Sequence, residues 1–182
     1  MVRDRRLRWS MADGIERELA GQGVLGLTRR SKYQLARVDT GHLVIRLGTS
    51  GNLRITGEDE PASIHDHIDL VTAADPLVRY RDPRRFGRFL WTTEPLQHHQ
   101  LLKDLGPESL AREFDGNLLF NAGCGRRVAV KNLIMDANVV VGVGNIYANE
   151  NQAGRPGRQW KRVDSASLEI SPKELNRPRS MS

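Results

Sequence analysis

The residues best suited to bind a ligand lie in the turn Gly142 to Asn145 (GVGN), between two segments of helical character. The first segment, Leu133 to Met135, ends at Asp136, and the second continues from Ile146 to Glu150. Glycines let a backbone approach a ligand closely, and the first N–H groups of a helix have no internal partner and attract anions. The turn therefore predicts a phosphate site at a helix start. A helix-turn-helix joint whose glycines serve only packing is the simpler alternative.

A dinucleotide is a second ligand that this turn could accept. Gly142 and Gly144 with Ala148 loosely imitate a dinucleotide-binding loop, and Asp164 lies at a suitable distance for a ribose-binding carboxylate. Such a loop follows a strand inside a βαβ unit, whereas the residues before Val139 have a helical pattern. Dinucleotide binding is therefore kept as a minor alternative.

Metal ligands are suggested by the alternation of His65, His67 and Asp69, which would share one face of a strand. No further ligand accompanies them. The single cysteine, Cys124, excludes an internal disulfide and a multi-cysteine metal site within one chain. The sequence therefore predicts no bound metal.

The elements that must position these residues change character along the chain. Leu43–Leu47 and Leu53–Ile55 are predicted as two strands joined by a tight turn at residues 48–51, and Ile68–Thr72 and Leu77–Tyr80 as a second such pair. Antiparallel meanders are the simplest arrangement of these strands.

Helical spacing appears at two places outside the glycine turn. Ile15 and Leu19 would share a face of a short helix over residues 12–19. From Leu96 to Leu105 leucines recur at helical intervals, and Pro107 is predicted as the first residue of a further helix. Beyond Glu150 the chain is polar and contains prolines, which predicts a weakly ordered tail.

The formal net charge of +6 over 182 residues favours a polyanionic partner, because the basic residues recur inside motifs rather than in a tail. No apolar run approaches the length of a membrane span, and the charged N-terminus has no apolar signal core. The sequence therefore predicts a cytoplasmic protein without a membrane partner.

Several motifs follow one another in a specific order: RLRW (6–9), RRSKY (29–33), RLGTSGNLRI (46–55), HDHIDLV (65–71), RYRDPRRFG (79–87), LGPESL (105–110) and MDANVVVGVGNIYANE (135–150). Together they closely resemble the formamidopyrimidine-DNA glycosylases, bacterial enzymes that excise oxidised purines such as 8-oxoguanine and cleave apurinic sites. The resemblance runs from about Val2 to Glu150.

The resemblance implies an α+β fold. A partial antiparallel β-sandwich domain would occupy residues 1–95, a helical DNA-binding domain with a helix-two-turns-helix segment residues 96–150, and a weakly ordered tail residues 151–182. It implies a monomer that acts in base-excision repair on double-stranded DNA with oxidised or abasic lesions, in the cytoplasm at the bacterial nucleoid.

The resemblance also assigns residues to the DNA. It places Arg84 at the base opposite the flipped-out lesion and Phe86 as the wedge in the base stack. It assigns a larger set of residues to contacts with phosphates and with the damaged nucleotide: Lys32, His65, Lys131, Gly144 and Asn145.

This chain departs from the family pattern in three ways. Thr49 stands where the family has a methionine that helps to fill the space left by the flipped base. The nucleophilic N-terminal proline and its glutamate have no counterpart, because Met1 aligns inside the first domain, and neither has the four-cysteine zinc finger. We therefore expect no retained catalytic residue, no zinc or other cofactor in this chain, and catalytic deficiency. A non-catalytic remnant that recognises distorted duplex is the alternative.

Overall fold

The computed structural model describes Val2, Leu7, Met11 and residues 13–57, 59–73 and 77–153. The chain divides into two compact units, Met1–His98 and His99–Ser182. Of the predicted tail, residues 154–182 lie outside the described residues, and Asp164 is among them. Arg6, Arg8 and Trp9 of the RLRW motif also lie outside the described residues.

In its described residues, the first unit contains one short helix and two antiparallel sheets. Its elements are α1 (Ile15–Leu19), β1 (Val24–Arg30), β2 (Tyr33–Val38), β3 (Gly41–Arg46), β4 (Asn52–Thr56), β5 (Asp66–Val71), β6 (Leu77–Arg81) and β7 (Arg88–Thr92). One sheet has the order β1-β2-β3-β7 and the other β4-β6-β5, with antiparallel neighbours throughout. Two antiparallel sheets followed by helices confirm the predicted α+β class.

Apolar residues of both sheets join in one core cluster. Leu43, Ile45 and Phe89 come from the larger sheet, and Ile68 and Tyr80 come from the smaller one. The predicted N-terminal helix is confirmed over Ile15–Leu19, and Ile15 belongs to the same cluster. Burial of such side chains is the main stabilising term for the unit.

Strand pairing confirms one of the two predicted pairs. β5 and β6 pair antiparallel, from Asp66 opposite Arg81 to Val71 opposite Leu77. The predicted pairing of β3 with β4 is wrong, because β2 and β7 occupy both edges of β3 while β4 pairs with β6. The chain therefore crosses from one sheet to the other after β3.

The described part of the second unit, residues 99–153, contains three helices: α2 (Gly116–Gly123), α3 (Val130–Met135) and α4 (Asn145–Ala153). The predicted helix from Leu96 to Leu105 is wrong, since successive turns replace it, among them a bond from Leu102 N to His99 O of 2.8 Å. No helix in the described part of the chain is long and apolar enough to cross a membrane.

Pro107 does not start a helix, which corrects a further expectation. Its carbonyl accepts a hydrogen bond from Val141 N at 2.9 Å, and Ser109 N donates to Val141 O at the same distance. A parallel bridge between Glu108 and Val141 results. Pairing with a distant segment satisfies the backbone here, so local helical spacing does not decide the structure.

Candidate nucleic-acid interface

Two chain segments cross between the sheets of the first unit at the same end. Arg46 at the end of β3 lies opposite Arg88 at the start of β7, and Asn52 at the start of β4 lies opposite Arg81 at the end of β6. Residues 47–51 connect β3 to β4 and are called the first crossing link. Residues 82–87 connect β6 to β7 and are called the second crossing link. The second link carries the DPRRFG motif.

The carboxylate of Asp82 is fully buried and accepts hydrogen bonds from both crossing links. Its Oδ1 lies 2.6 Å from Ser50 Oγ in the first link and 3.3 Å from Arg84 N in the second. Its Oδ2 lies 2.7 Å from Gly87 N and 3.0 Å from the Tyr80 hydroxyl. Burial alone would raise the pKa of Asp82, but these hydrogen bonds outweigh it and hold the pKa below its ordinary value.

The two links also pack closely, and glycines permit that approach. Gly48 has φ +76°, and a Cβ on it would lie 2.9 Å from the backbone carbonyl carbon of Phe86. A Cβ on Gly87 would overlap the Tyr80 hydroxyl. A side chain at Gly48 would therefore separate the links, and one at Gly87 would displace the Tyr80 hydroxyl.

The second crossing link presents Arg84 and Phe86 together. The guanidinium carbon of Arg84 lies 4.6 Å from the centroid of the Phe86 ring, which is cation–π geometry. A turn closed by Arg85 N on Asp82 O at 3.1 Å supports them, and Arg85 has a left-handed φ of 58°. Arg84 is exposed and Phe86 half-buried, while Thr49 in the first link is exposed.

Lys32 lies at the same end of the larger sheet, in the two-residue turn between Arg30 of β1 and Tyr33 of β2. Partial burial and the nearby positive charge of Arg46 lower the pKa of Lys32. Arg46 was not singled out by the sequence, where it reads as an ordinary strand residue. Its proximity to Lys32 makes this end of the unit strongly basic.

His65 also lies at this end, where its carbonyl accepts a hydrogen bond from Asp82 N at 3.0 Å. His67 is buried with its Nε2 2.9 Å from Asp82 O, and Asp69 accepts from Arg79 Nε at 2.8 Å. Within residues 13–57, 59–73 and 77–153, no three side chains of the His, Cys, Asp or Glu types converge as a metal site requires. The chain's one cysteine, Cys124, does not supply a four-cysteine zinc site.

In the second unit, the predicted turn leads from α3 to α4 as the sequence indicated. α3 ends at Met135, and Asp136 O accepts hydrogen bonds from Val139 N and Val140 N at 2.9 and 3.1 Å. α4 then begins at Asn145 after Gly142, whose φ is +94°. The end of α3 at Met135 matches the prediction, and α4 begins one residue earlier than predicted. The other ends differ, since α3 begins at Val130 and α4 continues to Ala153, into the segment predicted as a weakly ordered tail. The element directly before the turn is the helix α3, whereas a dinucleotide-binding loop follows a strand.

The start of α4 exposes the groups assigned to phosphate binding. Asn145 is exposed. Ala148 N donates a hydrogen bond of 3.0 Å to the carbonyl oxygen of Gly144, the residue just before the helix. The N–H groups of the first helical residues therefore point out of the helix end. Lys131 of α3 approaches α4 and donates from Nζ to Asn149 Oδ1 at 2.6 Å.

Comparison with protein families gives two matches. Residues 1–89 match the formamidopyrimidine-DNA glycosylase N-terminal domain, and residues 105–152 match the formamidopyrimidine-DNA glycosylase H2TH domain. The matched ranges contain the two crossing links and the turn before α4.

Curated relatives named formamidopyrimidine-DNA glycosylase are similar over most of the chain. The protein of Hydrogenovibrio crunogenus is 51% identical over 151 residues, which are 83% of this chain and 54% of the relative. That of Stutzerimonas stutzeri is 49% identical over 150 residues, which are 82% of this chain and 55% of the relative. The chain thus spans about half the length of these relatives.

Solved structures of the Lactococcus lactis glycosylase are similar in fold. A complex with DNA containing an oxidised pyrimidine matches with a TM-score of 0.81 and 27% identity, over 96% of this chain and 66% of that chain. A complex with DNA containing an abasic site matches with a TM-score of 0.80 and 26% identity, over 96% of this chain and 64% of that chain.

Proposed function

Because this chain belongs to the formamidopyrimidine-DNA glycosylase family, we propose that it binds duplex DNA that carries oxidised or abasic lesions. The observation that carries the proposal is the pair Arg84 and Phe86, presented together on the second crossing link at the basic end of the first unit. The DNA complexes of the L. lactis protein support the choice of partner.

The chemistry of this pair suits a duplex with a missing or extruded nucleotide. Extruding a base costs a few kcal/mol of stacking and pairing. An aromatic ring that enters the stack offsets part of this cost, and a guanidinium can hydrogen-bond to the unpaired base opposite. We assign the ring to Phe86 and the guanidinium to Arg84. Thr49 is small and exposed and adds little apolar volume, so Phe86 must fill more of the gap.

Phosphate binding is assigned to cations and helix N–H groups in each unit. Lys32, His65 and Arg46 serve the first unit, and Lys131, Gly144 and Asn145 serve the second. The start of α4 combines N–H groups that have no partner within the helix with the amide of Asn145, which can donate to a phosphate oxygen. Such contacts hold the duplex without reading its sequence.

The first prediction tests these phosphate contacts by salt titration. Affinity for duplex DNA should fall steeply as salt rises. Lys131→Ala should reduce the slope of log K against log[salt] by about 0.9, since one phosphate contact is lost. Asn145→Ala should weaken binding to every sequence about equally and leave the slope unchanged, because asparagine carries no charge.

The exposed Asn121→Ala on α2 is the matched control and should bind as the unchanged chain does. Binding that is absent at low salt, or that does not respond to salt, would refute the proposal. A loss in Asn145→Ala restricted to one base sequence would contradict its assignment to phosphate.

We further propose that a polypeptide of these 182 residues forms little covalent adduct with an abasic site. Attack at C1′ requires an uncharged amine held at the sugar. The pKa of Lys32 is lowered from an ordinary value of 10.5, but its side chain is exposed on a turn. Incubation with abasic duplex and borohydride should therefore trap only traces of the covalent complex. This result is expected of a protein that binds damaged DNA without cleaving it.

The same experiment separates the two candidate functions. Efficient trapping would show that this polypeptide is a lyase and would overturn the proposed deficiency. If trapping were efficient and lost in Lys32→Ala but kept in the exposed Arg37→Ala, Lys32 would be the nucleophile. Arg37 lies near the far end of β2 and serves as the matched basic control.

A further inference from the structure

We propose that Asp82 is a positioning residue that joins the two crossing links into one rigid surface, and that this rigidity sets the preference for damaged over intact DNA. The inference rests on the proposed function and deepens it. Asp82 itself is fully buried, so it acts through the residues that it holds and not by touching DNA.

A single carboxylate, that of Asp82, accepts hydrogen bonds from both links. Ser50 Oγ reaches it from the first link at 2.6 Å, and Gly87 N reaches it from the second at 2.7 Å. The Tyr80 hydroxyl adds a second connection, since it lies 3.0 Å from Asp82 Oδ2 and 3.1 Å from Leu47 O of the first link. Burial, with the hydrogen bond and negative charge of Asp82, raises the pKa of Tyr80, so the hydroxyl keeps its proton.

The backbone of Asp82 also fixes the shape of the second link. Its carbonyl accepts from Arg85 N at 3.1 Å and lies 2.9 Å from His67 Nε2, while its N–H donates to His65 O at 3.0 Å. Arg85 has φ 58°, a conformation that a non-glycine residue keeps only where its surroundings enforce it. Arg84 and Phe86 flank this strained residue, so their placement depends on Asp82.

The order of the second link affects its binding to DNA. A loop that is already ordered loses little conformational freedom when it enters a duplex, whereas a loosened loop must be ordered at a cost in affinity. That cost falls on the contacts that insert Phe86 and Arg84. Phosphate contacts elsewhere do not need this order, so binding to intact duplex should change little.

The test uses the full chain and three variants of the connection. Ser50→Ala removes the bond from the first link, and Ser50→Thr keeps the hydroxyl as the matched control. Asp82→Asn retains one carbonyl oxygen for Gly87 and Tyr80 but places an amide N–H₂ group towards Arg84 N. Two quantities are measured: amide hydrogen exchange in the free protein, and the ratio of affinities for a duplex with a tetrahydrofuran abasic analogue and the same intact duplex.

We expect Ser50→Ala to accelerate exchange of residues 84–87, in the other link, by about tenfold and to lower the affinity ratio by about tenfold. Asp82→Asn should do the same, and Ser50→Thr should stay within twofold of the unchanged chain. Accelerated exchange confined to residues 47–51, or an unchanged ratio in Ser50→Ala, would overturn the inference.

The exchange measurement does not involve DNA, so it separates two kinds of failure. If the unchanged chain shows no preference for the abasic duplex, the proposed function fails. If that preference exists but the variants retain both it and their slow exchange, only the role of Asp82 fails. A global loss of stability, seen as faster exchange throughout both sheets, would also count against a specific role.

Discussion

Phe86→Ala should lower the affinity for a duplex with an abasic analogue by about 30-fold, because stacking of a base on an aromatic ring contributes about 1–3 kcal/mol. The substitution removes both the ring that enters the gap and the surface over which the Arg84 guanidinium lies at 4.6 Å. Affinity for the same duplex without the lesion should change by less than threefold, since an intact stack offers no gap to fill. Fluorescence anisotropy with both duplexes measures the two effects.

Phe120→Ala is the matched control, since this phenylalanine lies on α2 and is 44% exposed. It should leave both affinities unchanged. Equal losses for damaged and intact duplex in Phe86→Ala would contradict insertion and indicate general damage to the binding surface. Arg84→Ala should reduce lesion affinity as well, with the loss depending on the base opposite the gap.

Asp69→Ala should cause the largest loss of stability among single substitutions in the smaller sheet. Asp69 accepts from Arg79 Nε at 2.8 Å and Nη2 at 3.3 Å, and both side chains are almost completely buried. Hydrogen bonds with Asp69 and its negative charge raise the pKa of Arg79, although burial opposes this, so the guanidinium stays charged. Removing the carboxylate leaves a buried cation without its main partner and should lower Tm by about 10 °C or more.

Two variants give this prediction its controls. Asp59→Ala removes an exposed carboxylate from the same unit and should change Tm by no more than about 2 °C. The double variant Asp69→Leu with Arg79→Met replaces the ion pair by apolar side chains and should recover much of the loss. A Tm of Asp69→Ala equal to that of Asp59→Ala would show that the buried pair does not hold the sheet together.

The parts of the fold that follow from local sequence were predicted correctly. α1 and the junction from α3 to α4 are set by short apolar spacing, a polar residue at Asp136 and glycines at the turn, all within a few residues. β5 and β6 are adjacent in sequence and joined by a short connection, which favours their pairing.

The wrong predictions concern segments whose structure depends on residues that are distant in the sequence. Leu43–Leu47 and Leu53–Ile55 look like a hairpin, but the edges of β3 are already paired with β2 and β7. Leu96 to Leu105 has helical spacing but forms successive turns, and Gly106 directly after it donates to Ala137 O at 2.8 Å. A short stretch of sequence around either segment does not contain all the residues with which it pairs.

The site residues divide in the same way. Family motifs identified Arg84, Phe86 and Asn145, and the structure places all three at turns or helix starts. The role of Asp82 could not be predicted, because an aspartate before proline is an ordinary turn residue and only the fold brings Ser50, Tyr80 and Gly87 around it. Arg46 was missed because Lys32, its neighbour in space, lies in the turn between β1 and β2 and is distant from it in the sequence.

The most direct test of damage recognition is a competition between two duplexes for the unchanged chain. One duplex carries a single tetrahydrofuran abasic analogue, and the other has the same sequence without it, at one fixed salt concentration. The abasic duplex should bind at least about tenfold more tightly, because only it offers a gap for Phe86 and an unpaired base for Arg84. Equal affinities would contradict damage recognition and leave only general binding to phosphates.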